Sequence, residues 1–412
     1  MKPPDDNYGD DSIEIHPMHL LPFDSLPNKK QVWPGRPGSR EEGLGRLVLL
    51  TPEVVAAAAS ACIRTGRRVS LGWELTKLEI ANFGRSPCDH KIVPLLDGVA
   101  FDDIYTFNPQ QSSQWDGLRH FSQPQPRLQP QPSPSASSSD SPSTSTRDNE
   151  TVSSSEREGS RAKERLFYGG VTKSEITDPL NHRIGIHHWA KEGICGRGVL
   201  LDYVSYAQRR GIAYSTFSDH SIPLSVLLEI ARDQNNLEFR RGDILFVRVG
   251  VTREWDTAMT RRDKVAYAES KNPQHAGVQG TEEMVRWIWD SGFAAVASDA
   301  VSFEVYPPKS TYARHHRDGS DGSRGEARSG GGGGGSGGVD RGDCREEAEE
   351  VPGIFMHEYL LAGWGLPIGE LFDLEGLSRL CEEHGRWEFF VASAPLNMPG
   401  GVSSPPNCIA IF

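Results

Sequence analysis

The chain has 412 residues, of which 36% are hydrophobic and 8% aromatic, enough apolar surface for a sizeable core. Its net charge of −12, from 44 basic and 56 acidic residues, supplies no positive field for phosphates, so nucleic acid is not an expected partner. The acidic, proline-dotted opening lacks the apolar run of a leader, and no stretch reads as long enough to span a bilayer, which predicts a soluble, cytoplasmic protein with no membrane partner.

Residues 1–21 read as a mobile N-terminal arm. Thr51 as N-cap and Pro52 at the first helical position predict a helix over about 52–65, followed by a short strand at 69–73. HKIVPLLDGVAFDDIYTFN reads as short extended pieces punctuated by Pro94 and an Asp-Gly pair. It leads into YTFNPQQSSQWDGLRH, residues 105–120, where Gln110, Gln114, Asp116 and His120 each carry an oxygen or nitrogen able to face a metal ion or substrate. Gln114 and Asp116 share a face if extended, and Asp116 and His120 share one if helical, so the stretch should cross a strand-to-loop or loop-to-helix transition. The Gln-, Pro- and Ser-rich sequence that follows leaves a second reading open, in which the glutamines begin a disordered tract.

Two segments, about 122–164 and about 308–350, hold too little apolar surface to offset the entropy of ordering and are expected to be disordered insertions; the second contains an unbroken Gly330–Gly335 run. Between them lie a strand at 198–203, a helix in PLSVLLEIARDQNNL, a strand at 244–249, a helix capped by Thr281 and ended by Gly292, and a strand in FAAVASD. This alternation predicts one layered α/β domain over residues 22–412 with sites at strand ends. Asp202, Asp243 and Asp299 fall at such ends, where each is equally readable as a cap or turn residue. In the last block a helix with Phe355, Tyr359, Leu360 and Trp364 on its apolar face carries His357 and stops at Gly365 and Pro367, with Glu370 just beyond. The six cysteines form no CxxC pair and are expected to be reduced thiols.

FNPQQSSQWDGLRH, GRGVLLDY, RRGDILFVRVG, FAAVASDAVSFE, HEYLLAGWGLPIGELFDLE and APLNMPGGVSSPPN, in this order, resemble the cyclase family that includes kynurenine formamidases and isatin hydrolases, and are most similar to its fungal branch. The resemblance implies a swivelling β/β/α fold, a possible homodimer, and hydrolysis of an amide-type C–N bond in a small molecule, such as N-formylkynurenine or a cyclic amide, with a divalent metal, Mn²⁺ or Zn²⁺. The family signature H-x-G-T-H-x-D-x-P-x-H falls on Gln110 to His120: Asp116 is its metal ligand and His120 its acid/base, while glutamines stand at both histidine positions. The resemblance thus implies a metal set of Gln110, Gln114, Asp116, His357 and Glu370, with Ser113 and Trp115 as substrate contacts. A carboxamide oxygen is a weaker ligand than imidazole, so the two glutamines favour a harder ion over zinc. A metal-free lyase or cyclase of secondary metabolism, or a family member that only binds its ligand, is the alternative.

Overall fold

The computed structural model describes residues 17–33, 35–80, 83–125, 165–308 and 353–412. Nine strands form one curled mixed sheet: β1 (Arg68–Ser70), β2 (Gln114–Asp116), β3 (Ile194–Asp202), β4 (Ile244–Arg248), β5 (Ala295–Ser298), β6 (Ile368–Glu370), β7 (Glu388–Ser393), β8 (Ser403–Ser404) and β9 (Cys408–Ile411). Their spatial order is β1-β9-β7-β3-β4-β5-β6-β2-β8. The central run from β3 to β6 is parallel and both flanks are antiparallel.

Near-continuous apolar runs in the parallel strands are explained by burial on both faces. Val199, Leu201, Leu245, Val247 and Val296 enter one core, whereas Leu200, Ile244, Phe246 and Ala297 enter the other. Helices Leu224–Asp233 and Glu282–Asp290 cover the first face with Leu227, Ile230, Val285 and Ile288. The predicted caps are present: the Thr51 hydroxyl accepts from Val54 N and that of Thr281 from Met284 N. The first of these helices is Pro52–Cys62, shorter than expected. Arg40–Cys62 as a whole is long and apolar enough to cross a membrane. It folds, however, as Arg40–Leu44, Gly45–Leu49 and Pro52–Cys62, and the buried Arg46 donates to Phe293 O at 2.7 Å.

Three boundaries are corrected. The arm ends earlier than expected, because His19 stacks on Trp289 and the Trp289 indole donates to Leu21 O at 2.8 Å. Gln123–Pro124 pairs with Arg165–Leu166, and Gln123 is buried with its amide on Lys30 O, so the first insertion excludes residues 122–125. The helical stretch begins at Met356, so Phe355 lies before it and is 42% exposed instead of packing on its apolar face. Residues 126–164 and 309–350 of the two expected insertions, and residues 1–16, lie outside the described residues. The Pro94/Asp-Gly segment forms a ribbon, Asp89–Leu95 against Ala100–Thr106, with every strand residue but Val93 exposed.

Asp202 and Asp243 serve the fold. Asp202 caps helix Tyr203–Arg210 and, with Glu375, holds the buried Arg248 guanidinium at 2.7–3.0 Å. Asp243 accepts from Arg197 at 2.8 Å. Arg248→Met leaves the Asp202 carboxylate buried without its counter-charge, so a loss of about 3–5 kcal/mol in chemical denaturation is expected.

Candidate active site

The site lies between β2, β6 and the helical turn that carries His357. Register places Gln114 opposite Glu370, and the two-residue period puts Asp116 on the same face as Gln114. After β2 the chain turns through Gly117, and His120 comes back towards Asp116, with Nε2 3.7 Å from Asp116 Oδ2. From the other side, His357 sits just before a π-helical stretch, Glu358–Gly363, a distortion found often at functional sites.

The hydrogen bonds are directional. Glu304 accepts from His357 Nδ1 with both carboxylate oxygens at 2.9 Å, and Glu370 Oε1 lies 3.2 Å from His357 Nε2. Gln114 Nε2 donates to Glu370 Oε2 at 2.7 Å. Gln110 Nε2 lies 3.3 Å from His120 Nδ1. Asp116 is fully buried, yet neither of its carboxylate oxygens has a hydrogen-bond partner, and the Gln114 carbonyl oxygen is likewise buried and unpartnered. Unpaired buried carboxylates are expensive, and this one marks a place built for a positive or hydrogen-donating guest.

Burial shifts the titrating groups. It pulls the His120 imidazole below its ordinary value, against the attraction of Asp116. His357 is also penalised by burial, but Glu304 and Glu370 on its two nitrogens outweigh that and hold it well above the usual range. Burial, reinforced by Asp116, pushes Glu370 up to about 7.

Asp116, His120 and His357 are the one group of His, Cys, Asp and Glu side chains among the described residues whose donor atoms, all within 4.8 Å, could share an ion. The donor set fits a divalent cation in three respects. Asp116 has two free oxygens, Gln114 has one, and Glu304 grips His357 by Nδ1 in the manner of the carboxylates that orient metal-bound histidines. Binding at His357 Nε2 requires displacing its Glu370 contact. Glu370, between His357 and Gln114, is part of the same cluster.

Three expected residues stand elsewhere. Gln110 contacts the far nitrogen of His120, away from Asp116. Trp115 points to the opposite face of β2, where it is buried in the core and its indole donates to Ser393 Oγ at 3.0 Å. Ser113 is buried too, donating to Leu371 O at 2.6 Å and accepting from Trp73 N at 2.7 Å. Neither Trp115 nor Ser113 is available to a substrate.

A cavity of about 140 Å³ opens on the cluster, and Phe83, Phe121, Tyr306 and Phe355 give it aromatic walls. Larger clefts of about 490 and 580 Å³ lie elsewhere, lined by neither Asp116, His120 nor His357. Sequence reasoning missed Glu304, Arg85, His275 and Ser302 in this region. Glu304 had a signal, since it closes the motif FAAVASDAVSFE, whose Asp299 instead accepts from Val249 N and Gly250 N inside the fold.

A curled mixed sheet with a carboxylate–imidazole cluster beside a small aromatic cavity defines an α/β protein with a candidate active site. The sequence matches the family described as "Putative cyclase" over residues 28–305, more than half of the chain, and the chain belongs to that cyclase family. Among solved structures it is similar to a novel cyclase, with 22% identity, a TM-score of 0.61, and coverage of 91% of this chain and 97% of that one. It is also similar to isatin hydrolase A from Labrenzia aggregata bound to benzyl benzoate, with 12% identity, a TM-score of 0.45, and coverage of 87% and 97%. Isatin hydrolase A from Ralstonia solanacearum gives 13% identity, a TM-score of 0.46, and coverage of 88% and 98%. The first of these carries the fold. No curated protein matches the chain.

Proposed function

We propose that this protein hydrolyses the C–N bond of a small aromatic amide, an aryl formamide such as N-formylkynurenine or a cyclic amide, with a divalent cation held at Asp116. The unpartnered buried carboxylate of Asp116 carries this reading, and the aromatic cavity walls support an aryl substituent. Asp116, with Gln114, His357 and Glu370 around it, would hold the ion; the oxygen-rich set favours Mn²⁺ over Zn²⁺. Such an ion supplies Lewis-acid polarisation and makes bound water acidic.

The chain's own groups do the proton work. His120, kept neutral by burial, takes a proton at Nε2 from the attacking water. As the C–N bond breaks, the same nitrogen returns the proton to the leaving nitrogen, giving the carboxylic acid and the free amine. For Nε2 to accept, Nδ1 must carry the hydrogen, which requires the Gln110 amide, whose Nε2 faces Nδ1 at 3.3 Å, to turn over and present its carbonyl oxygen; Gln110 is then a positioning residue. The cavity's aromatic rings hold the aryl group and exclude water.

One observation favours a metal-free lyase or ligand-binding member instead: His357, placed between Glu304 and Glu370, pairs with both carboxylates through its two ring nitrogens. The readings separate on metal content. The purified protein is expected to retain about one Mn²⁺ or Zn²⁺ per chain by elemental analysis, and chelation to stop amide turnover. An empty site, with turnover indifferent to chelators, overturns the hydrolase.

A further inference from the structure

Ser302 and His275 line the cavity beside the cluster, and neither takes part in the chemistry above. The Tyr267 hydroxyl lies 3.1 Å from His275 Nδ1, His275 Nε2 lies 2.7 Å from Ser302 Oγ, and Ser302 Oγ donates to Glu304 O at 2.8 Å. Only one arrangement of hydrogens satisfies the whole line. If His275 carried its hydrogen on Nδ1, the buried Tyr267 hydroxyl would have nothing to donate to, and Ser302 would have to spend its single hydrogen on Nε2 and desert Glu304 O. Tyr267 therefore donates to Nδ1, Nε2–H donates to Ser302 Oγ, and Ser302 donates to Glu304 O. Burial, which pushes His275 down to about 3, keeps the ring neutral with the one N–H this order needs.

Ser302 thus has its hydrogen and one lone pair committed, and its second lone pair remains for the cavity. Its position is stiff, because His275 pairs with Tyr306 through backbone hydrogen bonds and stacks on its ring, and the residue whose carbonyl it bonds, Glu304, also grips His357. The complement of a fixed neutral acceptor in a small aromatic cavity is an N–H donor on a planar aryl compound. We propose that Ser302, oriented by Tyr267 and His275, accepts a hydrogen bond from the amide N–H of the substrate and selects secondary aryl amides over analogues lacking that hydrogen. The proposal rests on the aryl-amide reading for its ligand class.

Calorimetry with acetanilide and phenylacetone, which replaces the N–H by CH₂, tests it. The wild-type protein is expected to bind the amide roughly tenfold more tightly than the ketone, the worth of one neutral hydrogen bond. Ser302→Ala should erase that preference while leaving the ketone's Kd unchanged, which controls for folding, and Ser302→Thr should restore it. A wild-type protein indifferent to the N–H, or a preference that survives in Ser302→Ala, overturns the proposal. If the preference behaves as expected while no aryl amide is hydrolysed with any divalent ion, the hydrolase reading fails and Ser302 stands as the acceptor of a ligand-binding site.

Discussion

Asp116→Ala is expected to abolish retention of the divalent ion and lower kcat/KM on an aryl formamide by on the order of 10³-fold, as when a charge-stabilising group is removed from a dry site. The fold itself does not need this carboxylate, since both its oxygens are buried without partners. With the ion stripped by chelator, the isosteric Asp116→Asn should therefore melt at the same temperature as the wild type or higher, because relief from burying an unpaired charge outweighs any lost contact. A structural residue would behave in the opposite way. Retention of the ion by Asp116→Ala, or a chelated variant clearly less stable than the chelated wild type, would remove Asp116 from the centre of the site.

His120→Ala is expected to lower kcat by about 10²- to 10⁴-fold with a smaller change in KM, the usual contribution of a general acid–base group. The pH profile gives the sign. Burial depresses the His120 pKa below 6.5, the neutral form is the base, and kcat should therefore rise through that depressed value and level off above it. The acidic limb thus lies below pH 6.5, and a bound cation, which also disfavours the imidazolium, moves it further down. In His120→Ala the limb should vanish. A limb that persists there belongs to another group, for which Glu370, pushed up to about 7, is the first candidate.

Much of the parallel core was readable from the sequence for a simple reason: strands buried on both faces must be continuously apolar, and capped amphipathic helices announce their ends locally. The Thr281 cap and the apolar stripe of Glu282–Asp290 are examples. Insertion edges were less readable. Gln123 is as polar as the residues after it, and what holds it in the fold is its strand pairing with Leu166 together with its amide contacts on Lys30 O and Ala362 O.

The same division runs through the site. By itself the sequence determined that Gln110, Gln114, Asp116 and His120 occupy one short stretch, since alternation and spacing are properties of the chain. It could not say which way each side chain points. Tertiary structure sent Trp115 and Ser113 into the core, set Gln110 against His120, and brought Glu304 to His357 across 53 positions of sequence. It also left Asp116 buried and unpaired. Burial and pairing are relations between distant segments, and no local pattern of residues encodes them.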